Sequence, residues 1–135
     1  MTSFAARRKA HLALGKKGED FAADHLKQHG FTIFARNWRT NAGELDIVAF
    51  DNDTLVFVEV KTAGKQRNFS PADNLSANQK KRNYNAAKVY MRSLDNCPYP
   101  GKFDLVEVFF RWNFIVKIRR TANYLPDLPV QSSYE

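Results

Sequence analysis

Residues 43–62 read GELDIVAFDNDTLVFVEVKT, two β-rich runs joined by Asn52-Asp53. Side chains in a strand alternate between faces, so parity decides which polar residues can meet. Glu44, Asp46, Val48 and Phe50 share a side of the first run, and Leu55, Phe57, Glu59 and Lys61 share a side of the second. A two-residue loop at Asn52-Asp53 predicts that Phe50 faces Leu55, Val48 faces Phe57, Asp46 faces Glu59 and Glu44 faces Lys61. One face of the hairpin is then apolar beside the turn and ionic at its open end. Val56, Val58 and Val60 make the opposite face of the second run apolar as well, the pattern of a central strand covered on both sides.

Two carboxylates opposed across a hairpin, on a face that otherwise wants burial, need a positive partner. Lys61 would have to answer Glu44, Asp46 and Glu59 together, so a divalent cation is the more economical counter-charge. Oxygen ligands without Cys or His suit Mg2+ or Mn2+ rather than zinc. Upstream, the spacing from His11 to His29 is helical, with Leu14, Gly15, Gly18, Phe21, Ala22 and Leu26 on one arc. Glu19 lies at the edge of that arc, in line with Leu12 and Leu26, and leans toward the sheet. Taken singly, Glu19 reads equally well as a boundary ion pair, and Glu59 with Lys61 as an ordinary polar pair. Ionisable groups intruding on a strand that is apolar on both faces are what single them out.

Gly30 stops the first helix, and Phe31 to Trp38, Glu44 to Asp51 and Thr54 to Thr62 form a three-stranded meander. Ala63 to Asn78, with Gly64 and Pro71, reads as a functional loop or a locally disordered stretch. Ser76 and Gln79 then form a capping box opening a helix to about Leu94, with Tyr84, Ala87, Met91 and Leu94 inward. Runs at Lys102 to Phe110 and Phe114 to Arg119 supply two further strands. The expectation is an α/β fold in the order α-β-β-β-α-β-β: a mixed central β-sheet flanked by helices. A single domain is expected over residues 1–120, with 121–135, rich in Pro and Ser, as a loosely attached tail.

The 21 Lys and Arg against 14 Asp and Glu leave a formal charge of +7, which favours a polyanionic partner. With Cys97 the only cysteine, neither an intrachain disulfide nor a multi-cysteine zinc site can form, and a cytoplasmic location is expected. No apolar run approaches the roughly 18 residues that span a bilayer, so no membrane partner is expected. Lys80, Lys81 and Arg82 place positive charge at a helix start, against the helix dipole, which hints at phosphate. Together with Arg36, Arg39, Lys65 and Arg67 they could line a groove that binds a nucleic-acid backbone without reading its sequence. Gln79 is accounted for by its capping box, and Trp38 and Trp112 read as packing residues.

Glu19 on a helix, then Gly43-Glu44-Leu45-Asp46, then Val58-Glu59-Val60-Lys61 resembles the PD-(D/E)XK nuclease superfamily, with its aspartate followed on the next strand by Glu-x-Lys. GEDFAADHL (18–26), RNWR (36–39), GELDIVA (43–49), VFVEVKT (56–62) and KFDLVEV (102–108) resemble, more closely, the YraN-like family of small bacterial proteins. The resemblance implies a restriction-endonuclease-like core, Asp46 and Glu59 as metal ligands with Glu19 assisting, and Lys61 as the catalytic lysine. Leu45 stands where the superfamily has proline. Ala63 stands where the smaller family has a basic residue, a phosphate contact that Lys65 or Arg67 could supply instead. The implied activity is Mg2+- or Mn2+-dependent endonucleolytic hydrolysis of DNA rather than RNA, on branched or structured substrates. Glu44 is expected to anchor Lys61. The alternatives are a non-catalytic nucleic-acid-binding module and a partner-dependent subunit of a DNA repair, recombination or uptake complex.

Overall fold

The computed structural model describes residues 3–63, 75–112 and 114–130. Helix α1 (Phe4–Gln28) begins seven residues earlier than its apolar spacing suggests, because Ser3 caps it by accepting the Ala6 N–H at 3.1 Å. It ends where Gly30 takes a φ of +90°, a conformation glycine adopts without a Cβ penalty. Strands β1 (Thr32–Thr40), β2 (Gly43–Asp51) and β3 (Thr54–Ala63) form the meander. Helix α2 (Ala77–Ser93) follows, then β4 (Gly101–Arg111) and β5 (Phe114–Ala122).

The five strands stand in sequence order in one sheet, with β3 central. All neighbours are antiparallel except β3 and β4, a parallel pair whose crossover α2 supplies. Helix α1 packs on β3, β1 and β4, whereas α2 packs on β2 and β1. Val56, Val58 and Val60 enter a core with Ala22, Ala23 and Leu26 of α1. Leu55 and Phe57 enter a second core with Ala86, Ala87, Tyr90 and Met91 of α2. Burial on both faces is why this strand reads as near-continuous apolar sequence. A mixed sheet with helices on its faces matches the expected architecture and is consistent with a restriction-endonuclease-like core. No described helix is long and apolar enough to cross a membrane.

Residues 121–130 differ from the loose tail expected of them. Thr121 and Ala122 complete β5, and Tyr124 and Leu125 pack against the α2-side core. Leu128 is buried and exchanges two 2.8 Å main-chain hydrogen bonds with Gly101. Three apolar side chains spaced among prolines are enough to dock this segment, although they carry no strand or helix periodicity.

Candidate functional site

The predicted register holds from the turn as far as Ile47 opposite Val58, and there the β2–β3 ladder stops. Beyond that point the Asp46 side chain replaces the ladder, its Oδ2 accepting the Val60 N–H at 2.9 Å. The cause lies in β2 and β1 together. Leu45 and Val48, three residues apart, both enter the α2-side core, while Ile47 between them enters the other. Ala35 and Trp38 on β1 do the same, with Asn37 between them at a φ of +51°. Strand alternation therefore breaks at the Asn37/Asp46 level, where Trp38 pairs with Leu45 and Arg36 with Ile47. This break opens the sheet between β2 and β3.

Into the opening project Asp46 and Glu59, close enough that the charge of Asp46 acts on the Glu59 carboxyl. Burial, then the charge of Asp46, pushes the Glu59 pKa up from 4.5 to about 8. Burial also raises Asp46, although the Val60 N–H and Glu59 oppose it. Around Glu59 stand three donors that favour its anion. Gln79 Nε2 donates to Oε1 at 2.9 Å, Asn83 Nδ2 donates to Oε2 at 3.2 Å, and Lys61 Nζ is 3.4 Å from Oε1. Asn83 Nδ2 also donates to the Tyr124 hydroxyl at 3.1 Å, which ties the docked C-terminal segment to the site.

A buried carboxyl pair whose mutual repulsion is strengthened by burial, with amide and ammonium donors turned to Glu59, is a donor set that a divalent cation would satisfy. Among the described residues no group of three or more His, Cys, Asp and Glu side chains is gathered closely enough to form a metal cluster. Glu19 is half-buried on α1, with its pKa raised by burial first and by Asp46 next. It is therefore within electrostatic reach of the pair. Glu44 does not anchor Lys61, as was expected. The ladder ends before the two could meet, Glu44 pairs with Arg39 at 3.2 Å, and Glu59 takes Lys61.

A cleft of about 230 Å³ opens over Glu59, lined also by Glu44, Ser76, Asn78, Gln79, Arg82 and Asn83. Ser76 caps α2 by accepting the Gln79 N–H at 3.0 Å. The Gln79 side chain, however, does not complete the capping box; it turns to Glu59 and belongs to the site. Gln79 and Asn83 lie one turn apart, and a buried Asn on an arc with Ala86, Ala87 and Tyr90 was the signal available for the second of them. Nothing in the sequence marks Tyr124.

Of the basic residues, Arg36 donates to Asp20 at 2.7 Å and Arg39 pairs with Glu44. Lys80 is half-buried, and Lys81 and Arg82 are exposed on the first turns of α2, where Arg82 lines the cleft. Lys65, Arg67 and the rest of residues 64–74 in the loop predicted from Ala63 to Asn78 lie outside the described residues, while Ala63 ends β3 and Ala77 and Asn78 begin α2. Trp38 packs edge-on against Tyr90 at 5.1 Å, whereas Trp112 is 72% exposed and does not fill core.

Comparison with known proteins places this geometry in a family. The model of the Uncharacterised protein family UPF0102 matches residues 18–108. A UPF0102 protein of Oleidesulfovibrio alaskensis is 43% identical over 97 residues, covering 72% of this chain and 48% of the relative, so the chain spans about half of that protein's length. One from Symbiobacterium thermophilum is 41% identical, covering 70% of this chain and 80% of the relative. One from Bacteroides fragilis is 38% identical, covering 86% and 96%. The matched span holds Glu19, Asp46, Glu59, Lys61, Gln79 and Asn83 but not Tyr124. The chain belongs to the UPF0102 family, within the broader PD-(D/E)XK-like structural superfamily, a membership that supports a function related to nucleic acids.

Proposed function

We propose that this protein is a metal-dependent endonuclease that hydrolyses phosphodiester bonds in DNA, with Asp46 and Glu59 as metal ligands, Glu19 as a supporting carboxylate and Lys61 as the catalytic lysine. The observation that carries the reading is the Asp46–Glu59 pair with the Lys61 ammonium 3.4 Å from it. Bound Mg2+ or Mn2+ would supply Lewis acidity, polarising a phosphate oxygen and lowering the pKa of a water.

The chain's own groups do the rest. Gln79 and Asn83 fix the rotamer of Glu59, so that its oxygens meet a cation already oriented. Lys61 orients the attacking water and offsets negative charge developing on phosphorus. Lys81 and Arg82, beside the cleft mouth, take backbone phosphates, a contact that positions a strand without reading its sequence. Lys80, Arg36 and Arg39 extend that groove, and Lys65 and Arg67 supply further phosphate contacts.

A cleavage screen over linear, nicked and four-way DNA with Mg2+, Mn2+ or EDTA tests this. Metal-dependent nicking that Asp46→Ala and Lys61→Ala each reduce at least 100-fold, with DNA binding retained, is the expected result. Binding without cleavage under every metal condition identifies a non-catalytic module. Cleavage that appears only on adding a second protein identifies a subunit of a larger complex.

A further inference from the structure

On the α2-side face of the sheet, α2 sits mainly on β2 and β1 and reaches β3 and β4 at Phe57 and Phe103 through Tyr90 and Tyr84. Lys61 stands in register with Glu107 on β4, and Glu107 with Arg119 on β5. Glu107 is fully buried and grips Arg119 through two contacts of 2.9 Å. Toward the hairpin tip, Phe109 lies under two cations, with Lys117 Nζ 5.6 Å and Arg119 Cζ 5.7 Å from its ring centroid. These contacts hold positive charge on the same side of the sheet as Lys61. Phe110 and Ile115 turn into the α1-side core, which by alternation leaves Arg111 and its register partner Phe114 on the same side as Lys117. At the tip, Trp112 and Phe114 are each 72% exposed.

We infer that the β4–β5 hairpin is a platform for unpaired bases, with Trp112 and Phe114 stacking on them and Arg111 and Lys117 holding the adjoining phosphates. This rests on the nucleic-acid reading above and names its substrate class: nucleic acid carrying a single-stranded or unstacked segment next to the phosphodiester at Lys61. Exposed aromatic rings within a cationic strip are the composition that binds single strands, because every base offers a π-face once it leaves the duplex. Charge alone would hold duplex equally well; the aromatics add affinity only where bases are unstacked. The tip lies four residues of β4 past the Lys61 row, about 13 Å at strand rise, so one strand can reach both.

Trp38→Phe leaves Trp112 as the single tryptophan of the chain. Titrating this variant in EDTA with a 16-nucleotide oligo(dT), and separately with a blunt duplex of equal length, reads the platform directly. Trp112 emission quenched by oligo(dT) and little changed by duplex is expected. Trp112→Ala with Phe114→Ala should weaken oligo(dT) binding at least tenfold and leave duplex binding within twofold, while Trp112→Tyr retains the single-strand preference. Equal quenching by both ligands, or equal loss of both in the double variant, overturns the platform and leaves the nuclease reading standing. Failure to bind either oligonucleotide removes the nucleic-acid reading and the platform with it. Emission indifferent to DNA, with a concentration-dependent dimer that Trp112→Ala abolishes, overturns the platform in favour of protein contact.

Discussion

Glu59 carries opposing demands at a single carboxyl, and the opposition has a measurable pH signature. Its pKa is raised from 4.5 to about 8 by burial and by Asp46, so the folded state holds a proton that the unfolded chain has released. A raised acid contributes its full stability below the unfolded pKa and loses it as pH rises through the folded one. The metal-free protein should therefore lose stability between about pH 4.5 and pH 8, with a slope of at most about 1.4 kcal/mol per pH unit for one proton. Asp46→Asn isolates this effect. The new amide can accept the Val60 N–H through its oxygen and donate to Glu59, replacing repulsion by a hydrogen bond. Melting curves in EDTA should show the variant more stable than wild type at pH 8, by on the order of 1 kcal/mol, with the gap closing toward pH 5. A gap that widens toward low pH would count against the raised Glu59 pKa. Adding Mn2+ should stabilise wild type and not Asp46→Asn, since a ligand that binds only the native state raises its stability by mass action.

Helix α2 brings two of the site's polar groups, Gln79 and Asn83, to β3, and its seating depends on one glycine of β2. A Cβ on Gly43 would come within 2.4 Å of the Arg82 carbonyl oxygen, a main-chain atom that cannot rotate away. Gly43→Ala should push the first turns of α2 off the sheet, costing about 1–3 kcal/mol in urea denaturation and withdrawing Gln79 and Asn83 from Glu59. Gly15→Ala is the control. Nothing lies within 4 Å of a Cβ there, and alanine in a helix interior should stabilise by about 0.5–1 kcal/mol. Legibility in the sequence follows the same division between local and tertiary causes. The β2–β3 register, the central place of β3 and the Ser76 cap follow from period-two alternation and local hydrogen bonding, so they can be read from Asn52-Asp53 outward. Asp46, Glu59 and Lys61 stand out because charge interrupts an apolar strand. The Gln79 contact with Glu59 could not be read that way, because a capping box and a tertiary hydrogen bond ask for the same residue. The break at Asn37 and Asp46 depends on two strands at once, and Tyr124 reaches Asn83 because its N–H is held by the Phe103 carbonyl and Leu128 docks the chain beside Gly101.

For the molecule as a whole, a formal charge of +7 matters through where its unneutralised part sits. The arginines on β1 are largely answered within the protein, Arg36 by Asp20 at 2.7 Å and Arg39 by Glu44 at 3.2 Å. Lys81 and Arg82 form no ion pair among the described residues, and Arg82 lines the cleft over Glu59. Counterion release converts that difference into salt dependence, because each phosphate neutralised adds about −0.9 to the slope of log K against log salt on duplex DNA. An arginine already held by a carboxylate must first give up that partner, so it adds less. Fluorescence anisotropy of a labelled duplex between 50 and 200 mM salt, in EDTA to prevent cleavage, measures the slope directly. Replacing Lys81 and Arg82 together by Ala should reduce it by about 2, whereas replacing Arg36 and Arg39 together should change it by less than about 1. The reverse ranking would move the backbone groove from the start of α2 to the β1 edge. A strand lying there would approach Asp46 from the side of Glu19 and Arg36 rather than across the cleft that Arg82 and Gln79 line over Glu59.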